Sequence, residues 1–549
     1  MDGEQMIAEG ADTTFDDAIR RLNRKSLRSA LTTASFLSAL EYAGHSSSPL
    51  FPSLNNEKTR LIAEAAIRSR SAWYKDEPVI PKDLPILLNG ALTASDDHRL
   101  DEISSDRPRQ EMLYDLQKYF SRLAYVQIRP QQNQGIALGQ LLAVTERLPH
   151  DHWQELPPEI QNVAQSFPQA AQQALGESPS NLIRAATLLL SYLTRVGETF
   201  LTHVPTPPSF QKQRWQAEQL YKLVGQAGAQ VADLAIHRSA FERMLTNAGL
   251  SCKAEPFLRV FSGLIDDLRK LYELPHFNLG PEGHRLSPLD RFPVVLADDG
   301  AFFVIPNARK FCAALSSVVH FSLNELCRES YERVRGHCLE LYFRRVLSAR
   351  APTLLVIPEK KWATGKGNIA GPDLTIIDHG EHPMVLGIEI KFRRMLPNTR
   401  FELRDEDIKS NYSDLWSALT KLDGKLDQVL AGRGDYSQYR SDLERARKYP
   451  RRLLGVTGEA PFMFAELANA LADRDSDFPL HGVSKNWSVM GAETFERFIE
   501  ASVQHAIPLL DLFDQYLSES TNLELSGGMA EAFGNMELDL SQSYAASFL

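Results

Sequence analysis

Residues 371–391 read GPDLTIIDHGEHPMVLGIEIK, and the pattern of this stretch decides how the C-terminal half folds. Gly371, Pro372 and Asp373 open one apolar run, and Glu389, Ile390 and Lys391 close the next. Between them lies a turn-rich segment from Asp378 to Pro383. Two such runs predict paired strands. Side chains alternate between the faces of a strand, so Glu389 and Lys391 share one face while Ile388 and Ile390 point to the opposite, apolar one. Pairing brings Asp373 alongside Glu389. Two carboxylates held close repel and raise one pKa. A hard divalent cation, Mg²⁺ or Mn²⁺, relieves that repulsion because it prefers oxygen ligands. Lys391 then assists an attacking water or offsets charge on a phosphate. The plainer reading is a salt-bridged sheet face behind a Pro-Asp turn.

Upstream, a helical pattern opens at Ser322–Leu326 and runs to about residue 350, with apolar residues at Leu323, Cys327, Tyr331, Val334, Cys338, Leu341 and Tyr342. Glu340 lies in its C-terminal half, and Gly336 is expected to let the helix approach a sheet closely. Pairing of Glu340 with Arg344 on a solvated face is the alternative. Thr353–Ile357 is a strand candidate. The order is a helix with Glu, a strand, a strand with Asp, a strand with Glu-x-Lys, then a helix. This resembles the PD-(D/E)xK nuclease superfamily, over residues 325–515. The resemblance implies an α/β restriction-endonuclease-like core at the C-terminal side. It implies catalytic residues Glu340, Asp373, Glu389 and Lys391, with Asp373, Glu389 and Glu340 as ligands to Mg²⁺ or Mn²⁺. It also implies DNA, rather than RNA, as substrate.

Ser413–Leu430 reads as an amphipathic helix with Leu415, Leu419, Leu422, Leu426 and Val429 on one side and Gly424 inside it. Strands are expected at 453–457 and 488–490, and helices at 462–471 and 493–505, which fits a mixed α/β core. Basic residues collect at Arg393, Arg394 and Arg400, at Lys421 and Lys425, and through 440–452 with interleaved tyrosines. Nucleic-acid contacts are expected at Arg393, Arg394, Lys421, Lys425, Arg447 and Arg451. Solvated, partly neutralised surface charge is the competing account. His379 and His382 flank the turn and are simplest as wet turn residues. Ala363–Gly367 lacks the spacing of a phosphate-binding loop.

The chain has 549 residues, enough for two or three domains. An apolar fraction of 43% supports globular structure. A net charge of -10 argues against coating nucleic acid by bulk electrostatics, though not against a local basic groove. None of Cys252, Cys312, Cys327 and Cys338 forms a C-x-x-C pair, which disfavours structural zinc and suits a reducing compartment. No signal peptide and no run of about eighteen apolar residues is read, so the expected location is cytoplasmic with no membrane span.

Before residue 290 the patterns are helical and the segment is read as a large all-α region. Its helices are expected at 15–42, 57–75, 109–127, 135–147, 159–175, 180–203, 209–249 and 256–274, with a break at Pro205–Pro208. Phe292–Leu296 and Phe302–Pro306 suggest a hairpin. The domain reading is an all-α N-terminal domain at 1–205, a helical connecting region at 206–289, a nuclease-like domain at 290–515 and a mobile tail at 516–549. The leading functional expectation is a metal-dependent endodeoxyribonuclease, by fold-level analogy a restriction or phage-defence effector. A protein partner is expected through the helical half. A homodimer would follow if both DNA strands are cut. The alternatives are a non-cleaving DNA-binding protein and a protein-interaction scaffold.

Overall fold

The computed structural model describes residues 14–44, 56–95, 134–202, 212–274, 287–364, 367–394, 404–433, 436–459, 464–483, 487–513 and 538–549. The chain divides into two compact units, one of 1–102, 126–134 and 171–326, the other of 103–125, 135–170 and 327–549. The helix expected at 109–127, the Pro205–Pro208 break, Arg400 and the first part of the expected tail, 516–537, lie outside the described residues. No described helix is long and apolar enough to cross a membrane.

The first unit is predominantly helical. One helix was expected over 15–42, and the chain instead forms Phe15–Leu22 and Leu27–Gly44. Thr14 caps the first of these, its hydroxyl accepting from the Asp17 N–H while the Asp17 carboxylate accepts the Thr14 N–H at 2.9 Å. Gly197 of the helix Pro179–Leu201 sits against the Ala39 carbonyl of Leu27–Gly44, where any Cβ would overlap it. A small sheet joins β1 (Ile236–His237), β2 (Ser262–Leu264), β3 (Val294–Leu296) and β4 (Phe302–Val304) in the order β1-β4-β3-β2. The reading of this region as wholly helical is corrected at β1 and β2. Strands this short show no alternation, so periodicity cannot reveal them. The long helix read from 209 to 249 is divided by β1 into Lys212–Ala232 and Arg238–Asn247. The β3–β4 hairpin forms as expected, pairing Val295 with Val304, but it belongs to this unit and not to the C-terminal core.

The second unit is mixed α/β. Its main sheet contains β5 (Leu355–Pro358), β8 (Leu374–Asp378), β9 (Met384–Lys391), β10 (Arg451–Thr457) and β11 (Trp487–Gly491), ordered β11-β10-β9-β8-β5. A separate hairpin of β6 (Lys361–Thr364) and β7 (Gly367–Ala370) follows β5. The pairs β5·β8 and β8·β9 are antiparallel, whereas β9·β10 and β10·β11 are parallel. Every β9 residue except Lys391 is buried, so both faces of the sheet are covered. The helix Ser413–Leu430 covers one face, sharing a core with Ile357, Ile377, Val385, Leu453 and Val489. Gly387 and Gly455 lie beneath it, and a Cβ at Gly455 would come within 3.0 Å of Leu415. The helices Arg328–Arg350 and Ala492–His505 also touch the sheet, the first along β5 and β9, the second along β10 and β11.

Three local expectations are revised. The helix read as continuous from 322 to 350 breaks at Cys327, whose φ of -141° and ψ of 43° end the helix Ala308–Leu326 and start Arg328–Arg350. Gly336 has open space where a Cβ would stand, so close approach to the sheet does not depend on it. The end of the tail is docked. Ala545 is fully buried, its N–H donates to Glu496 Oε1 at 2.9 Å, and the Tyr544 N–H donates to Glu500 Oε1 at 3.0 Å. A Cβ at Gly139 would overlap the Ala545 carbonyl, so the absent side chain there permits the docking.

Candidate active site

Sheet register places the acids. β8 pairs with β9 so that Leu374 faces Ile388, which brings Asp373, one residue earlier, level with Glu389. β5 pairs with β8 so that Pro358 faces Leu374, which brings Glu359 level with Asp373 from the other side. The Glu359 N–H donates to the Asp373 carbonyl at 3.1 Å, continuing that ladder. Glu359, Asp373 and Glu389 thus form one row across three strands, where directly opposed side chains are neighbours. Sequence reasoning missed Glu359. Its signal was positional, an acid just past a strand whose antiparallel partner begins just past Asp373.

The contacts are direct. Asp373 is 6% exposed and Glu389 fully buried. Asp373 Oδ2 accepts the Ile390 N–H at 2.6 Å and Lys391 Nζ at 3.3 Å. Lys391 Nζ also reaches Glu389 Oε2 at 3.1 Å, and Lys425, from the covering helix, bonds Glu389 Oε1. Both oxygens of Glu389 therefore meet an ammonium group. Asp373, Glu389 and Lys391 are brought together. Glu340 contributes charge from the helix Arg328–Arg350 and is felt at both Lys391 and Glu359. Its ion contact is with His337, at 3.4 Å. Arg344 pairs with Glu155 instead.

Burial and charge set the protonation states. Burial raises the Glu389 pKa, Asp373 adds to the rise, and the two lysines oppose it. Burial disfavours the charged form of Lys391, but the Asp373 and Glu389 carboxylates outweigh that and hold its pKa above the ordinary lysine value. Lys391 is therefore a fixed cation at neutral pH and not a proton acceptor. Glu359 is pushed up to about 7 by burial and by the charges of Asp373 and Glu340, against the pull of Lys361 and Lys425.

The basic residues separate into two groups. Arg393 and Arg394 follow Lys391 after Phe392, and Lys425 stands on Glu389. Lys421 is exposed on the same helix as Lys425. Arg451 pairs in the ladder with Val385, and Gly455 with Glu389, so Arg451 lies at the far end of β9, about 13 Å from the acids at roughly 3.3 Å per residue. It bonds Asp427, and Arg447 caps the Leu430 carbonyl at 2.7 Å. His379 and His382 lie at that same turn end, bonded to Tyr449 at 3.0 Å and Asp511 at 3.0 Å, apart from the acids.

The donor chemistry fits Mg²⁺ or Mn²⁺ in part. Asp373 and Glu389 are hard oxygen donors, and the two ammonium groups beside them, Lys391 and Lys425, together carry the charge that a divalent ion would bring. Among the described residues, no three His, Cys, Asp or Glu side chains are gathered so as to hold a metal ion. An ion at Glu389 therefore competes with ammonium groups already there. No protein-family model, curated protein or solved structure matches this chain.

Proposed function

We propose that the second unit hydrolyses phosphodiester bonds of DNA with the help of a divalent cation. The observation that carries this reading is the meeting of Asp373, Glu389 and Lys391 at one end of a mixed sheet, with the charges of Glu340 and Glu359 beside them. The strand order supports it, since β9 is antiparallel to β8 and parallel to β10, an arrangement that accords with a restriction-endonuclease-like core. Asp373 and Glu389 would hold Mg²⁺ or Mn²⁺, and Glu340 would join them only on leaving its contact with His337. When bound, such an ion stabilises negative charge on a phosphoryl oxygen and makes water more acidic. Lys391 would supply a positive charge beside the reacting phosphate and help to orient the attacking water. Buried carboxylates in low dielectric make each charge contact stronger than in water. By analogy alone, the large helical half suits recognition or control in a restriction or phage-defence effector.

The test is cleavage of circular and linear DNA by the full chain in Mg²⁺, in Mn²⁺ and in EDTA. Metal-dependent cutting by the wild type that is lost in Asp373→Asn and Lys391→Met, with circular dichroism unchanged, is expected. Absence of cutting with either ion would end the reading. A second reading, a DNA-binding protein that does not cut, is favoured by one observation: both oxygens of Glu389 are engaged by lysines. It predicts salt-sensitive DNA binding that survives both substitutions.

A further inference from the structure

We propose that three helices of the second unit form a peptide-binding groove, and that the segment 538–549 fills it interchangeably in its own chain or in a second copy of this chain. The inference is independent of the hydrolytic reading. The helices are Gln134–Leu142, Arg328–Arg350 and Ala492–His505. The residues on them that meet the segment all belong to the second unit.

The groove reads main chain. Glu496, Glu500 and Gln504 recur every four residues on Ala492–His505, so they line one stripe of that helix. Glu496 Oε1 accepts the Ala545 N–H at 2.9 Å, Glu500 Oε1 the Tyr544 N–H at 3.0 Å and Gln504 Oε1 the Asp539 N–H at 2.9 Å. The Gln504 amide donates in return to the Asp539 carbonyl at 3.2 Å. The segment thus runs opposite to the helix, its backbone donors matched to side-chain acceptors. These acceptors are held in place from behind. The Tyr342 hydroxyl and the Gln140 amide donate to Glu496 Oε2 at 2.7 and 2.8 Å, and Arg350 Nε donates to Glu500 Oε1 at 3.0 Å.

Side chains are read at three places. Ala545 is fully buried, and a Cβ at Gly139 would overlap its carbonyl, so the groove closes only around small residues. Tyr544 and Phe548 pack on the Tyr342 ring, with centroids 5.6 and 5.9 Å away, and on each other at 5.5 Å. The ligand class is therefore a peptide with a small residue directly after one aromatic and three residues before another.

Self-complementarity identifies the partner. An empty groove leaves the buried Glu496 and Glu500 short of donors, which is costlier than the net gain of a bond between exposed groups. Every contact given above is made by residues 539–548, so none depends on which chain supplies them. Residues 514–537 join this segment to Phe513, which stacks on Phe498 at 4.9 Å. A connection of that length spans at most about 80 Å, enough to reach a neighbouring molecule. Each copy carries both a groove and a segment, so reciprocal exchange fills both grooves in a closed twofold pair. Within one chain the tether keeps the effective concentration near about 1 mM, so exchange shows when docking in the same chain is blocked.

The experiment uses a fluorescein-labelled peptide of residues 538–549 and full-length chains checked by circular dichroism. Ala545→Arg prevents a chain from filling its own groove. This variant is expected to bind the peptide saturably with Kd below about 0.1 mM, and the wild type at least about tenfold more weakly, because its own segment competes. A peptide carrying Ala545→Arg is the control and should not bind. Gly139→Ala blocks the groove and leaves the segment intact. Sedimentation velocity of Ala545→Arg mixed with Gly139→Ala should show a larger species than either variant alone. Should Ala545→Arg unfold, ending the chain at residue 537 empties the same groove. Absence of saturable peptide binding, equal binding of the control peptide, or a mixture that sediments like its separate components overturns the inference.

Discussion

Replacing Lys391 by Met tests the central electrostatic claim without any assay of catalysis. The ammonium group of Lys391 bonds Asp373 at 3.3 Å and Glu389 at 3.1 Å, and Met removes it while keeping most of the apolar stem. Deleting one partner of a buried ion pair costs about 3–5 kcal/mol, because the other charge is left uncompensated. The Lys391 side chain is 31% exposed, and Lys425 still holds Glu389, so a smaller loss of about 2 kcal/mol follows. For a unit of this size that lowers Tm by about 4–8 °C. In EDTA, calorimetry should show this loss. Titration with Mg²⁺ should then raise Tm more in the variant than in the wild type, since the ion no longer displaces the ammonium group. At a hundredfold excess over Kd the gain is about 2.7 kcal/mol, enough to offset the loss. Equal melting of variant and wild type in EDTA would refute the idea that Lys391 balances buried carboxylates. Equal gains with Mg²⁺ would refute competition for one position.

Glu496 is buried and its pKa is raised to about 7, chiefly by burial and against the hydrogen bonds from Tyr342, Gln140 and Ala545. A raised carboxyl pKa gives stability that is complete below the ordinary value near 4.5 and is lost as pH rises through about 7, an effect of about 3 kcal/mol. Chemical denaturation of Glu496→Gln should therefore show a flatter pH profile between those values than the wild type. Ending the chain at residue 537 removes the N–H donors to Glu496 and Glu500, and should lower stability by about 2 kcal/mol in the same measurement. Arg451→Gln, about 13 Å from the acids along the sheet, should change neither the cleavage rate nor the salt dependence of DNA binding.

The elements of the second unit were legible because their apolar patterns are long. The helix Ser413–Leu430 carries leucines at helical spacing that all reach the core, and β8 and β9 are bounded by turn residues that leave one pairing register. Asp373 and Glu389 meet because that register is fixed by burial on both faces. Long-range pairing hid the rest. Glu359 joins the row only through the pairing of β5 with β8, and Lys425 reaches Glu389 only because its helix crosses above Gly387 and Gly455. No local spacing encodes either fact. The same holds for Arg451, which looks like a phosphate contact in a basic run yet is carried by its strand to the opposite end of the sheet.

Strand direction explains why charged groups are tolerated at this one end. β9 and β10 run parallel, so both release the chain beside Lys391 and Thr457, and the connection between them must cross over the sheet with a helix. β8 runs the other way and begins at that same end, with Asp373 just before it. The switch from antiparallel to parallel neighbours on either side of β9 thus puts a strand start between a strand end and the Glu359 end of β5. Crevices for ligands form where such neighbours diverge beyond the carboxyl ends of strands. Substituting Gly387 by Val probes this link. A Cβ there would stand 3.4 Å from a Leu426 methyl group, so the added methyls of Val press on the covering helix and are expected to shift it and with it Lys425 from Glu389. Overpacking of this kind costs about 1–3 kcal/mol. The expected result is a lower Tm together with a stronger response to Mg²⁺, measured by the same calorimetry. A lower Tm with an unchanged Mg²⁺ response would mean that the helix does not govern access to the carboxylates.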